Sequence, residues 1–277
     1  MFERRPSPNE SPLFTPELIK PLTQKAIEAN SEHSLDMEPF IETYGLETVR
    51  KDYGEIAVRL KSYMEQKLSP GSKMGFIFES AFLDIGSKNS WFGENSELTH
   101  ASKYDDLKNG VDLVSTILRP NDSAHHLAIA SDLTYSQPSS SAKFNRVANG
   151  IHAGNLAEIK YFHSDLLGFT GRLRNVPRTV IGLDVKNLEL FLTNWLREPE
   201  LAQKQFGLTI MNQIAAQSRG FAALAQATHG KSSPAARAYR TTHDVTQEII
   251  ERDYQGIEAP EDTITNTIKA ASQRLRE

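Results

Sequence analysis

The sequence predicts a mixed α/β fold, in which a core of helices and strands lies between two helical extensions. Near both ends of the chain, apolar residues recur every three or four positions, as they do in amphipathic helices. The middle contains short segments that are rich in β-branched residues or alternate between apolar and polar residues, as strands do. With 277 residues and no internal repeat, the chain is long enough to bury a large core without disulfides.

The composition excludes several classes of site. The chain has 31 Lys and Arg, 35 Asp and Glu, a formal net charge of -4 and no cysteine, so it cannot form disulfides, thiol nucleophiles, Fe–S clusters or zinc–thiolate sites. No segment approaches the roughly 20 apolar residues that span a bilayer, and the N-terminus lacks the apolar stretch of a secretory signal. We therefore expect no membrane partner and a cytoplasmic location, while the oligomeric state stays open.

The N-terminal region is predicted to be a tail followed by helices. Residues 1–15 contain three prolines and several polar residues, which predicts a flexible tail, and residues 16–72 are predicted to form a helical extension. Within it, a helix begins near Pro16 and a second helical stretch covers Met37–Lys67. The Ser69–Gly71 segment then predicts a break.

The predicted core covers residues 73–197 and begins with a buried helix. Lys73–Gly86 is apolar on every side of a helical wheel, although Glu79 lies in its middle. Val111–Ile117 and His126–Tyr135 then predict a hairpin, with a turn at Arg119–Asp122. The remaining elements are expected in this order: a helix over Ala142–Ala153, strands over Leu156–Phe162 and Thr179–Val185, a helix over Asn187–Leu196, and a C-terminal helical region over residues 198–277.

Four charged residues interrupt apolar segments of this core: Glu79, Asp112, Asp132 and Lys160. Asp112 and Asp132 are 20 residues apart on the two strands of the predicted hairpin, so their side chains can meet if both point to one face. Carboxylates that converge in a buried site repel one another unless a divalent cation lies between them, and oxygen ligands favour Mg²⁺ or Mn²⁺. A nearby lysine can stabilise charge on a phosphate oxygen. The carboxylates, the cation and the lysine together indicate phosphodiester hydrolysis.

Structural roles could also explain each residue alone. A strand aspartate beside a turn is often a satisfied loop carboxylate, Lys160 can pair with Glu158, and Glu79 can pair with an arginine of the flanking helices. The occurrence of all four in successive core elements favours the functional interpretation.

The segments Phe78–Asp84, Tyr104–Val114, Ala128–Ser136 and Leu156–Phe162 together resemble the PD-(D/E)XK nuclease superfamily. That superfamily has a restriction-endonuclease-like core of a helix, a three-stranded meander, a helix and a further strand. The resemblance covers about Lys73–Trp195. It implies that Asp112, on the second strand, is the first metal-binding aspartate, that Asp132, on the third strand, supplies the second carboxylate, and that Glu79 is the acidic residue of the leading helix.

The sequence departs from the superfamily pattern in two ways. Val111 stands where the motif has proline, and Thr134 stands where it has lysine, so the lysine would have to be Lys160, as in divergent members. A rival alignment uses Glu158-Ile159-Lys160 as a literal ExK motif, 46 residues after Asp112. We prefer Asp132 with Lys160, and the choice between Asp132 and Glu158 stays open.

A basic stretch follows the predicted hairpin. Residues 142–178 carry a net charge of +4 in an acidic chain, and Gly168–Arg172 is predicted to be a flexible loop. Phosphate contacts require such local charge, although a solvated loop would have the same composition. The candidate nucleic-acid-binding residues are Lys143, Arg146, Arg172 and Arg174.

The sequence therefore predicts a Mg²⁺- or Mn²⁺-dependent nuclease acting on DNA or RNA, with DNA the favoured partner and the choice between them open. In this hypothesis Glu79, Asp112 and Asp132 hold metal, and Lys160 positions water or stabilises the scissile phosphate. Because the motif is imperfect, the alternative is a catalytically inactive member of the fold that binds nucleic acid or protein. A third interpretation, an all-helical interaction protein, would require the strand predictions to be wrong.

Overall fold

The computed structural model describes residues 15–33, 35–65, 70–118, 126–197 and 200–276. The predicted tail and the predicted turn at Arg119–Asp122 lie outside them, except for Thr15. The helices are α1 Pro16–His33, α2 Ile41–Tyr44, α3 Leu46–Glu65, α4 Pro70–Lys88, α5 Lys103–Asn109, α6 Gln137–His152, α7 Val185–Arg197, α8 Glu200–His229, α9 Pro234–Asp253 and α10 Thr263–Arg274. The strands are β1 Ser96–His100, β2 Leu113–Leu118, β3 His126–Thr134, β4 Ala157–Ser164, β5 Phe169–Val176 and β6 Arg178–Gly182.

The described strands form a four-stranded sheet and a separate two-stranded sheet. The larger sheet has the order β1-β2-β3-β6, in which β1, β2 and β3 run antiparallel and β6 is parallel to β3. A parallel pair needs a long crossover, and α6 with the β4–β5 hairpin provides it. The prediction of a mixed α/β fold is confirmed.

Helix α4 lies in the centre of the main hydrophobic core, as the apolar sequence of this segment predicts. Phe78 and Phe82 are buried, and their rings lie 5.9 Å from Phe191 and 5.4 Å from Trp91, respectively. Each ring contributes about 1.5–3 kcal/mol by burial. Residues from α1, β2, β3, α7, α8 and α9 join the same cluster, so the N- and C-terminal helices share one core with the sheet.

One prediction about the later elements is confirmed and one needs correction. Leu156–Phe162 corresponds to strand β4, which pairs with β5 in the smaller sheet, while the strand that extends the main sheet is β6. The segment Gly168–Arg172, predicted to be a flexible loop, instead leads into and forms the start of β5. Its glycines permit the tight reversal between β4 and β5, since Gly168 has a φ of 56°.

Helix α8 completes the edge of the main sheet through two buried glutamines. Gln217 accepts a hydrogen bond from Val180 N and donates to Val180 O, at 2.9 and 2.7 Å. Gln213 makes the same pair of bonds with Gly182, at 2.9 and 2.7 Å. The two glutamines are four residues apart on the helix, and their partners are two residues apart on the strand. Both spacings correspond to a rise of roughly 6–7 Å, so the side-chain amides match the backbone groups.

None of the described helices is both long enough and apolar enough to cross a membrane.

Candidate active site

Asp112 and Asp132 meet where β2 begins and β3 ends. The strand register ends at the pair of Leu113 with Ser131, and Asp112 and Asp132 are the next residues on their respective chains. The N–H of Asp112 donates to Ser131 O at 2.9 Å, and the N–H of Leu133 donates to Asp112 Oδ2 at 2.6 Å. The two carboxylates that the sequence predicts to converge are therefore neighbours.

The lysine beside these carboxylates is Lys143, from α6. Its ammonium forms an ion pair with Asp132 Oδ1 and donates a hydrogen bond to the carbonyl oxygen of Leu133. Sequence reasoning assigned Lys143 to nucleic-acid binding and Lys160 to the catalytic role. Lys143 interrupts no apolar segment of the sequence, so the pattern that singled out the aspartates could not indicate its role.

Glu79 faces the same region from α4, together with two charged residues of α5. Lys103 and Asp106 form an ion pair of 3.3 Å, and both line a cavity with Glu79 and Lys143. Helix α5 is fixed at both ends, because Ser102 caps its N-terminus and Gly110, with a φ of 62°, ends it. The sequence pattern did not predict helix α5, because its seven residues are too few to show a clear apolar period.

Negative charge predominates among these buried groups. Burial and the nearby carboxylate of Asp132 raise the pKa of Asp112 to about 7, against the opposing effect of Lys143. Burial, followed by the charges of Asp112 and Asp106, raises the pKa of Glu79 well above its usual range. Burial alone would lower the pKa of Lys103, but Asp106 and Glu79 outweigh it and raise that pKa. The site therefore favours an additional positive charge.

Arg178, at the start of β6, holds the two carboxylate-bearing segments together. Its guanidinium contacts Asp132 Oδ2 at 3.2 Å and donates to the carbonyl oxygen of Gly110, two residues before Asp112. The hydroxyl of Tyr239 accepts a bond from Arg178 N and donates one to Arg178 O, both at 3.1 Å, which fixes this end of β6. Asp132 is thus paired with two cations, Lys143 and Arg178.

A cavity of about 820 Å³ opens from the acidic residues. One wall is helix α4, and the opposite wall is the end of β3 with the first turn of α6, from Leu133 to Ser139. The Tyr135 hydroxyl joins the walls through a 3.1 Å hydrogen bond to Gly71 O.

Lys160, the lysine predicted to be catalytic, lies elsewhere. It projects from β4 in the smaller sheet, forms a buried ion pair with Asp52 of α3, and lies 5.2–5.8 Å from the ring centres of Tyr44, Tyr104 and Tyr161. The Tyr161 hydroxyl donates to the same carboxylate at 2.5 Å. These contacts attach the N-terminal helices to β4, so the structure does not bring Lys160 to the two aspartates.

The rival carboxylate Glu158 and the basic candidates Arg172 and Arg174 also lie apart from the aspartate pair. Glu158 is half-exposed on β4, 3.2 Å from Arg172 and 4.0 Å from Arg174 on the neighbouring strand. Arg146 is exposed on α6, one turn beyond Lys143. Of the four predicted nucleic-acid-binding residues, the structure brings Lys143 to the aspartates.

Asp105, beside Asp106, has a structural role. Its fully buried carboxylate accepts hydrogen bonds from the Ser102 hydroxyl, the Asn109 amide, Lys160 N and Tyr161 N, at 2.7–3.0 Å. It thereby attaches α5 to β4, while the adjacent Asp106 lines the cavity.

The divalent cation that the superfamily resemblance implies would need oxygen ligands. In the described part of the chain, no three His, Cys, Asp or Glu side chains are close enough to hold a metal ion together. The oxygen donors present are two carboxylates, Asp112 and Asp132, and the carbonyl of Leu133. Two of these oxygens contact the Lys143 ammonium and therefore accept a cation, so the residues fit a small oxygen-bound cation.

Comparison with protein-family models, curated proteins and solved structures finds no match for this chain.

Proposed function

We propose that the protein is a metal-dependent phosphodiesterase that cleaves nucleic acid. The observation that supports this most directly is the meeting of Asp112, Asp132 and Lys143 at one end of the central strands. The order of elements adds support, because helix α4, strands β1 to β3, helix α6 and strand β6 follow the sequence of elements in the PD-(D/E)XK core.

Asp112, Asp132 and the Leu133 carbonyl would hold Mg²⁺ or Mn²⁺, with Glu79 close enough to influence the same charge. When bound, the ion would polarise the phosphate and lower the pKa of a water ligand.

The chain's own residues supply charge and proton transfer. The Lys143 ammonium contacts the same Asp132 and Leu133 oxygens, so an ion bound there would displace it into the cavity that it lines. There it could donate to a phosphate oxygen and stabilise negative charge that develops on it. Burial raises the pKa of Glu79 and favours its protonated form, which suits a group that donates a proton to a leaving oxygen. Arg178 positions Asp132 and the backbone before Asp112.

The proposal is tested by comparing Asp112→Asn and Lys143→Met with Glu158→Gln in a cleavage assay. Labelled single- and double-stranded DNA and RNA are incubated with Mg²⁺ or Mn²⁺, and a chelator sample serves as the blank. We expect each of the first two substitutions to lower the cleavage rate by at least about 100-fold, because they remove a cation ligand or the charge-stabilising amine. Glu158→Gln alters an exposed pair and should retain activity.

Two results of this assay would contradict the proposal. One is metal-independent cleavage that survives Asp112→Asn. The other is loss of activity in both Asp112→Asn and Glu158→Gln with retention in Lys143→Met, which would select the rival alignment, because that alignment also uses Asp112.

A non-catalytic binding module is the second candidate, because Lys143 and Arg178 already neutralise Asp132 without a metal. Isothermal titration calorimetry with MnCl₂ separates the two. A phosphodiesterase should bind Mn²⁺, and Asp112→Asn should weaken that binding. Absence of Mn²⁺ binding, with retained affinity for nucleic acid, would favour the module.

A further inference from the structure

The cavity beside the aspartates has two chemically different ends along one face of helix α4. Gly71, Gly75 and Glu79 are spaced four residues apart and all line it, so this face covers about 12 Å of helix from a neutral end to the acidic end. The opposite wall also changes from neutral to charged residues. The Tyr135 hydroxyl donates to Gly71 O at the neutral end, and Lys143 lies at the acidic end.

The neutral end offers flat and small surfaces. Phe76 and Tyr135 are partly exposed aromatic residues of the lining, and Gly75 leaves open space, since a Cβ atom placed there would have nothing within 4 Å. Aromatic faces of this kind stack on bases with little sequence preference.

The charged end offers few cations. Among the described residues that line the cavity, Lys103 and Lys143 are the basic ones, which suits one or two phosphates rather than a long duplex backbone.

The volume of the cavity limits what can reach its acidic end, which is lined by Glu79, Asp106 and Lys143. A volume of about 820 Å³ lies within the range of small-ligand pockets, about 300–1,000 Å³. Such a pocket suits one or two unpaired nucleotides better than a duplex, whose major groove alone is about 12 Å wide.

We infer that the site takes single-stranded nucleic acid, with a base stacked between Phe76 and Tyr135 at the neutral end and a phosphate directed to Lys143 at the acidic end. This inference rests on the proposed phosphodiesterase function for the identity of the acidic end. Selectivity arises because the walls exclude paired strands, not because bases are read by hydrogen bonds.

The test uses Gly75, where the cavity can be filled without disturbing packing. In an Asp112→Asn background, which prevents cleavage, fluorescence anisotropy measures the binding of labelled 12-nucleotide single strands, DNA and RNA separately, and of a blunt DNA duplex of the same length. We expect the preferred single strand to bind at least about tenfold more tightly than the duplex. Gly75→Leu should weaken single-strand binding by at least about tenfold.

Gly75→Ala is the matched control, because it keeps the cavity open and favours the helix. Its single-strand affinity should match that of the parent. The unfolding temperature of each Gly75 variant should lie within a few degrees of the parent's or above it. Tyr135→Ala supplies a second substitution at the neutral end, which should weaken single-strand binding by about five- to tenfold.

Equal binding of duplex and single strand, or unchanged binding by both Gly75→Leu and Tyr135→Ala, would overturn the inference. If the wild type then still cleaves a duplex, the phosphodiesterase proposal stands without it. If the single-strand preference and its loss in Gly75→Leu are found but no oligonucleotide is cleaved, the inference is supported and the phosphodiesterase proposal fails.

Discussion

Asp112 is held where its ionised form is destabilised. It lies opposite Asp132, within the field of Asp106, and it accepts a hydrogen bond from Leu133 N. Burial is the largest cause that raises its pKa to about 7. Asp132 differs, because Lys143 and Arg178 contact its two oxygens. Asp132 is therefore neutralised by two contacting cations, whereas an additional cation would stabilise the ionised form of Asp112.

This arrangement predicts that the metal-free protein loses stability as pH rises from about 4 to about 7. In that interval the unfolded chain has released the Asp112 proton while the folded chain still holds it, so proton release favours unfolding. The loss attributable to Asp112 is up to about 4 kcal/mol. Urea denaturation in a chelator, repeated across this range for the wild type and Asp112→Asn, measures it.

Asp112→Asn should show a shallower decline, since asparagine resembles the protonated acid and can still accept from Leu133 N. A wild-type profile that rises with pH over this interval, or one that is identical in the variant, would contradict the raised pKa.

At the same scale, the sequence could identify the aspartates but not their lysine. Asp112 and Asp132 interrupt apolar strand patterns, and a hairpin register brings them together. Lys160 interrupts an apolar strand equally well, but its charge is balanced by Asp52, which is 60 residues or more from either aspartate in sequence. No local pattern reveals which distant partner a buried lysine has.

Among the elements, α8 and β6 depend on each other. The outer edge of β6 would expose the N–H and C=O groups of Val180 and Gly182, but Gln217 and Gln213 bond to them. A sheet edge buried beneath a helix requires such partners, because an unsatisfied buried backbone group costs about 1–3 kcal/mol.

We expect Gln217→Ala to lower the free energy of unfolding by about 3 kcal/mol or more. The substitution leaves the N–H and C=O of Val180 buried without these partners and opens a small cavity. Urea denaturation followed by circular dichroism measures the change.

Gln226→Ala is the matched control for that substitution, because Gln226 lies on the same helix but is exposed, and it should change stability by no more than about 0.5 kcal/mol. Equal effects of the two substitutions would show that the amide bonds to β6 contribute little.

Element prediction succeeded where the apolar period was long and failed where tertiary pairing decided the structure. The α4 segment and the β2 and β3 strands follow their patterns. Strand β5 has polar and basic residues at exposed positions, so its sequence resembles a loop, and its pairing with β4 orders it. The bonds of Gln213 and Gln217 to a strand edge likewise depend on how α8 and the sheet meet.

Across the whole molecule, the site joins segments that are far apart in the chain. Helices α4, α5 and α6 and strands β2, β3 and β6 each supply at least one of its charged residues. The parallel pairing of β3 with β6 brings Arg178 to Asp132 across 46 residues, which sequence spacing could not indicate. A ligand that bridges these segments should stabilise the molecule as a unit.

Mn²⁺ is accordingly expected to raise the unfolding temperature. A ligand that binds the folded chain and not the unfolded one adds about 2.7 kcal/mol at a free concentration 100 times its dissociation constant. For a chain of this size that corresponds to an increase of several degrees, measurable by differential scanning calorimetry at pH 7. The increase should disappear in Asp112→Asn and persist in Glu158→Gln, whose carboxylate is paired with Arg172 on the smaller sheet. An equal increase in all three proteins would assign Mn²⁺ to some other surface and remove the aspartate pair as its binding site.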